Sequence, residues 1–163
     1  MGDIKRKRKK YGRPRVLYDK ARIEQENEIV RKYGLKNKKS IWKADARVSI
    51  LRKRAKLLIP RPEEEKKEFF ERLNKLGFKV SIIADVLALT KEDWLNRRLQ
   101  TIVFRKGLSK TIKEARQLIV HKQILVDGKA VNTPSYMVTT DSEENITLKT
   151  KPKSKQKEGE QNE

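Results

Sequence analysis

Charge is what most limits how this chain can fold. Lysine and arginine number 42 and aspartate and glutamate 22, leaving a formal net charge of +20 over 163 residues. Charged residues make up 39% of the chain and hydrophobic ones 36%, against roughly 25% and 45–50% in ordinary soluble domains. A chain of this kind buries a modest core, and self-repulsion weakens any compact state it forms. A polyanion that neutralises the excess is the simplest partner, and nucleic acid is the commonest polyanion. The excess is uneven. Residues 1–61 hold 22 basic and 6 acidic residues, whereas 62–95 hold 6 and 8. A second basic region, 96–150, holds 10 and 5.

The same sequence excludes several classes of chemistry. It has no cysteine and a single histidine, His121, so a disulfide framework, a thiolate zinc site and a cysteine nucleophile are all excluded. No run approaches the ~18 apolar residues of a membrane span. The basic N-terminus lacks the apolar stretch of a secretory signal. There is no phosphate-binding loop of the G-x-x-x-x-G-K-[ST] type, no dinucleotide-binding glycine motif and no spaced Ser/His/Asp set. The expectation is a chain that is not an enzyme and has no cofactor, metal, membrane partner or small-molecule substrate.

Residues 1–16, MGDIKRKRKKYGRPRV, have no hydrophobic period, and their like charges repel. They read as an extended arm along nucleic acid rather than a localisation patch or a solubilising tail. Residues 17–33 have a helical pattern, with Gly34 as the stop. Ser40 is the expected N-cap of a second helix over 41–59, whose apolar positions are Ile41, Trp42, Val48, Leu51, Ala55, Leu58 and Ile59. Its basic side suits phosphates better than a membrane surface or an acidic partner. A third helix over 63–76 opens on Glu63, Glu64, Glu65 and Glu68, which complement the positive end of the helix dipole. Trp42 and Trp94 read as core anchors.

A small module follows. Thr90 and Asp93 form a reciprocal cap for a helix whose stripe is Leu95, Leu99, Ile102 and Val103, ending at Gly107. Thr111 and Glu114 form a capping box for a helix through His121, with Ala115, Leu118 and Ile119 inward. The open N-terminus of that helix, with Lys110, Lys113, Arg116 and Gln117 nearby, reads as a phosphate-binding edge. Ile124–Val126, Asp127-Gly128 and Lys129–Val131 form a hairpin signal. Tyr136–Val138 reads extended, and Asn145–Leu148 gives the last strand.

The stretch from Arg98-Leu99 through Arg105-Lys106-Gly107-Leu108-Ser109-Lys110-Thr111, Glu114-Ala115-Arg116-Gln117-Leu118-Ile119-Val120-His121-Lys122 and Val126-Asp127-Gly128-Lys129 to Val131-Asn132-Thr133-Pro134-Ser135-Tyr136 closely resembles the RNA-binding domain named after ribosomal protein S-four. That domain also occurs in pseudouridine synthases, tyrosyl-tRNA synthetases and stalled-ribosome factors. The wider pattern narrows the choice. Arg8-Lys9-Lys10-Tyr11, Tyr33-Gly34-Leu35-Lys36-Asn37-Lys38, Ile41-Trp42 and Leu99-Gln100-Thr101 are similar to the archaeal form of the whole S-four ribosomal protein family, over about residues 1–150.

The resemblance implies an α+β chain, with a basic arm over 1–16 and a helical domain over 17–90. An S-four-type RNA-binding domain over 91–150 then carries two helices and a short antiparallel sheet. It implies primary binding to small-subunit rRNA, early assembly, and contact with ribosomal protein S-five and other small-subunit proteins at a surface linked to decoding accuracy. The location implied is cytoplasmic, in the ribosome. A non-ribosomal factor of rRNA processing or stalled-ribosome rescue is the alternative. The zinc site of some bacterial members cannot form here. Two positions depart from the pattern: Lys122 stands where many relatives have glycine, and Asp127 replaces the common asparagine, placing a negative charge near the expected RNA face. Residues 151–163 match no family feature, and their composition predicts disorder.

Candidate RNA contacts in the arm are Lys5, Arg6, Lys7, Arg8, Lys9, Lys10, Arg13 and Arg15. Arg47, Arg52, Lys53 and Arg54 lie on the second helix. The module contributes Arg97, Arg98, Arg105, Lys106, Ser109, Lys110, Thr111, Lys113, Arg116, Gln117, His121, Lys122, Lys129, Asn132, Ser135 and Tyr136. His121 either meets RNA or caps terminal carbonyls. Tyr136 either stacks on a base or fills the small core.

Overall fold

The structure, a computed structural model, describes residues 11–149. The cations Lys5–Lys10 and the tail expected over 151–163 lie outside those residues. Four helices come first: α1 (Lys20–Lys32), α2 (Lys39–Leu58), α3 (Glu63–Lys75) and α4 (Ile83–Ala88). The Asp19 carboxylate accepts the Arg22 N–H at 3.5 Å and starts α1, three residues after the expected start. Ser40 does not cap α2. The Ser40 and Ile41 N–H groups already bond to the Asn37 and Lys38 carbonyls, so the helix begins earlier, and Lys38 at its N-cap offers no capping side chain. Ile59, expected in the apolar stripe, lies past the helix end and is exposed. The expected third helix forms as α3, with its three acidic residues in the first turn.

Two apolar clusters hold this part. Ile29, Tyr33, Leu35, Ile41, Ala44 and Leu95 pack together. Ala55, Leu58, Phe69, Leu73, Phe78, Val80 and Val86 form the second. Trp94 packs against both and stacks on Phe78 with ring centroids 5.8 Å apart, in line with its expected anchoring role.

The second part comprises α5 (Lys91–Asn96), α6 (Leu99–Arg105), α7 (Ile112–Val120), β1 (Ile124–Val126), β2 (Lys129–Ala130), α8 (Thr140–Glu144) and β3 (Ile146–Leu148). The strands form an antiparallel sheet in the order β2-β1-β3. The hairpin turns on Asp127 and Gly128, with φ of +49° and +76°, the left-handed pair that a tight two-residue turn requires. A separate core of Leu99, Ile102, Val103, Ala115, Ile119, Ile124, Val126, Val138 and Ile146 lies beneath the sheet and helices. Burying each of its large side chains contributes roughly 1.5–3 kcal/mol.

The amphipathic run from Thr90 to Gly107 is two helices rather than one. Arg98 takes an extended conformation (φ −77°, ψ 143°) and pairs with Met137 as an isolated bridge. The Leu99 N–H donates to the Tyr136 carbonyl at 2.8 Å and the Val138 N–H to the Arg97 carbonyl at 3.2 Å. Partners from 134–138 thus replace the intrahelical bonds, and the chain turns between α5 and α6. Helix α8 forms at 140–144, in a stretch that has no apolar period of its own.

Gln100 joins the two parts. Its side chain is 2% exposed, and its amide Nε2 donates to the carbonyls of Ile112 at 2.9 Å, Gly34 at 3.1 Å and Tyr33 at 3.4 Å. Gly34 has φ +54°, and a Cβ there would press on the Ile112 side chain and the Gln100 amide, so glycine is what lets the backbones approach. Gln100→Leu keeps the approximate volume and strands these carbonyls. It should lower unfolding stability by about 2–3 kcal/mol, read by urea or thermal unfolding, and an unchanged midpoint would refute the role of this side chain as a bolt.

Candidate nucleic-acid interface

The structure divides the cations into those bonded within the fold and those left for a ligand. Arg97 belongs to the first group. Its Nε donates to the Leu76 carbonyl at 2.8 Å, one terminal nitrogen to the Val138 carbonyl at 3.1 Å, and the other contacts the Glu143 carboxylate at 2.7 Å. Arg52 donates to the Leu89 carbonyl at the end of α4, at 2.6 Å. Arg54 lies over the Phe69 ring, 5.4 Å from its centroid. These three expected RNA contacts therefore hold elements together, and Arg97 does so with every face of its guanidinium.

The expected phosphate edge at the start of α7 is also altered. Glu114 accepts the Lys110 N–H at 2.6 Å and the Thr111 N–H at 3.3 Å, while the Thr111 hydroxyl accepts the Glu114 N–H at 3.1 Å. The capping box places a carboxylate beside the site and takes up the Lys110, Thr111 and Glu114 N–H groups, which leaves the Ile112 and Lys113 N–H groups without an acceptor among the described residues. Ser109 is buried at 9% exposure and does not face solvent.

What remains converges in a groove of about 580 Å³ between α2 and the module. Lys36, Lys39, Lys43 and Arg47 line one side, Arg98 and Arg116 the other, and Trp94, Pro134 and Met137 form apolar wall; no carboxylate lines it. The N-terminus of α2 opens here with no acidic residue in its first turn, so the helix dipole adds to the positive field. Arg98 is the group that most needs a partner. It is 8% exposed, and its buried Nε has none among the described residues. Burial, with the Arg116 charge adding to it, pulls the Arg98 guanidinium down to about 10. It is thus still protonated at neutral pH, a desolvated charge beside a second one, which is costly until an anion compensates it.

The fold brings together Arg47, Arg98, Arg116 and Ser135 from the expected set. It does not bring in Arg105, which lines a different hollow with Asp85, Asp93 and Arg97. Lys106 donates to the Glu144 carbonyl at 3.1 Å. Lys110, Lys113 and Gln117 are exposed along α7, and Lys129 and Asn132 along the hairpin side. His121 ends α7 through its backbone N–H, with an exposed side chain. Lys122 adopts the left-handed φ of +57°. Tyr136 is 41% exposed and lies outside the core cluster. The Asp127 carboxylate accepts Ser142 Oγ at 2.7 Å and Asn145 Nδ2 at 3.0 Å, which ties the hairpin tip to α8. Hydrogen bonds from Ser142 and then Asn145 hold its pKa below the ordinary carboxylate value. Arg13, Arg15 and Lys53 are exposed on the arm and α2.

Lys36, Lys39 and Lys43 were missed in the sequence reading. The signal was present: Lys39, Lys43 and Arg47 recur every four residues, which is one face of a helix. That the face opposes Arg98 across a groove depends on the α5–α6 break.

The S4 domain family matches residues 97–143. The chain is 45% identical over 150 residues to the small ribosomal subunit protein uS4 of Hyperthermus butylicus, covering 88% of this chain and 85% of that one. It is 44% identical over 150 residues to the protein of the same name from Saccharolobus solfataricus, covering 88% and 83%. With that of Methanococcus aeolicus it shares 45% over 154 residues, covering 90% and 87%.

The unpaired charge in the groove makes two measurements diverge. Sulfate or phosphate at fixed ionic strength should raise the melting temperature, because an anion bound only to the folded state stabilises it. Arg98→Met should melt higher than the unsubstituted chain, by about 1–3 kcal/mol, and should lose the anion response. A lower melting point with an intact response would show that Arg98 serves packing alone.

Proposed function

The chain belongs to the family of the small ribosomal subunit protein uS4, and from that premise we propose that the groove between α2 and the module grips the phosphate backbone of folded small-subunit rRNA. As a member of that family it is a structural, RNA-binding constituent of the ribosome and not an enzyme. The observation that carries the proposal is the buried, unpaired Arg98 facing Arg116 and the cation row of α2 across a groove without carboxylates.

Phosphate contacts fix register without reading sequence. A groove with cations on two walls accepts a backbone only where the RNA presents phosphates in matching positions, so shape supplies the selectivity. The expected division into arm, helical domain to residue 90 and module to residue 150 fits such a clamp, each part adding cations. We extend the reading to primary rRNA binding that nucleates the subunit body, and to contact with ribosomal protein S-five that bears on accuracy. The family resemblance supports both extensions.

Binding of a small-subunit rRNA junction should weaken steeply with salt, log K falling against log salt by roughly 0.7–0.9 per neutralised phosphate. The junction should outcompete a plain duplex of equal length, and Arg116→Ala should weaken binding with little change in melting temperature. Equal affinity for duplex and junction would reduce the chain to a nonspecific basic protein.

A further inference from the structure

Residues 11–18 form no helix or strand. Val16, Leu17 and Tyr18 are exposed at 66%, 54% and 90%, so apolar burial does not hold this segment's end in place. Among the described residues, its backbone is tied by one side chain. Arg22 Nη2 donates to the carbonyls of Val16 and Leu17, both at 2.9 Å. Arg22 is in turn held by Glu26, its Nη1 donating to Oε1 at 2.9 Å. The same oxygen accepts the Trp42 indole N–H at 2.9 Å. Lys38 lies 3.5 Å from the other oxygen and also donates to the Ile23 carbonyl at 3.4 Å.

Glu26 is 4% exposed and is the buried acid of the described residues. A lone carboxylate at that depth would be costly, and here two cations and an indole compensate it. Burial opposes its ionisation, but the Trp42 and Arg22 hydrogen bonds and the Arg22 and Lys38 charges together hold its pKa below the ordinary value. The network lies directly under the arm. The Tyr11 ring stands 6.1 Å from Trp42, and Arg13 and Pro14 line a small hollow with Trp42, Arg22 and Glu26. In a chain of net charge +20, an acid buried beside residues 13 and 14 is conspicuous because its partners are all within the fold.

We propose that Glu26 is a positioning residue for RNA binding: through Arg22 it clamps the root of the arm at residues 16–17 and so fixes the direction in which the arm's cations leave the domain. The inference rests on the rRNA-binding reading of the chain. An arm whose root is fixed has less freedom to lose on binding than one that pivots at residue 19, so the clamp raises affinity without adding a contact.

The test uses the full chain with an rRNA junction and trypsin. Glu26→Gln should weaken junction binding by about tenfold and speed cleavage after Arg15. In a full-length chain whose Lys5, Arg6, Lys7, Arg8, Lys9, Lys10, Arg13 and Arg15 are replaced by glutamine, the same substitution should leave affinity unchanged, because no arm charge remains to be aimed. Arg22→Met, which leaves Glu26 paired with Trp42 and Lys38, should reproduce both effects should Glu26→Gln misfold. An equal loss in both backgrounds would make Glu26 a general stabiliser and overturn the proposal, as would unchanged affinity in the natural-arm chain. Failure of the rRNA reading is separate: the unsubstituted chain would not prefer the junction, while the rate of cleavage after Arg15 would still decide whether the clamp exists.

Discussion

Three backbone carbonyls meeting one carboxamide hold this molecule in working order. Gln100 lies at the start of α6, and its bonds to Tyr33, Gly34 and Ile112 tie the α1–α2 turn to the α6–α7 unit. A neutral amide suits this task. A buried cation would carry the cost of desolvation, and a carboxylate would repel the three carbonyl oxygens. The bolt fixes α2 against the module. Without that fixed distance, the row Lys39, Lys43 and Arg47 would carry no defined relation to Arg98 and Arg116, and the groove would not exist as a shape.

Much of the fold follows from local rules visible in the sequence. The Thr90–Asp93 and Thr111–Glu114 reciprocal caps form as their spacing requires, and the Asp127-Gly128 turn takes the expected conformation. These features are legible because their partners lie within four residues. The break at 97–98 was not, because it is set by hydrogen bonds from 134–138, almost 40 positions away. Its apolar stripe is continuous in sequence, so periodicity reads it as one helix. The start of α2 was misread for a related reason: the turn at Asn37–Lys38 captures the first N–H groups, and Ser40 has no open donor to cap.

The candidate site was legible as a composition and illegible as a selection. Basic side chains are easily counted, but which of them remain free depends on the acceptors that the fold brings near. Arg97 meets two carbonyls and a carboxylate, whereas its neighbour Arg98, pointing the other way across the α5–α6 break, meets none among the described residues. One extended residue between two helices thus separates an arginine bonded within the fold from one whose buried Nε has no partner among the described residues. The capping box shows the converse limit. Its motif forms as its spacing requires, yet the same motif sets the Glu114 carboxylate, a negative charge, beside the α7 N-terminus.

Glu26 and Arg98 show how so basic a chain arranges its buried charge. Glu26 is buried with Arg22 and Trp42 bonded to one oxygen and the Lys38 charge near the other, so it contributes order at a place where the surrounding segment has little packing of its own. Arg98 is buried and uncompensated, next to a like charge. By packing alone, a methionine would fit its position at lower cost. A charge that destabilises the free chain and is relieved only by an anion makes folding and binding depend on one another, since part of the protein's full stability is realised only in the complex. For a structural protein whose place is inside a polyanion, that dependence is tolerable because the free state is not the working state. On the proposed reading the arrangement also favours the correct site: a phosphate held loosely at the rim would leave the Arg98 charge unrelieved, and a backbone entering the groove would relieve it.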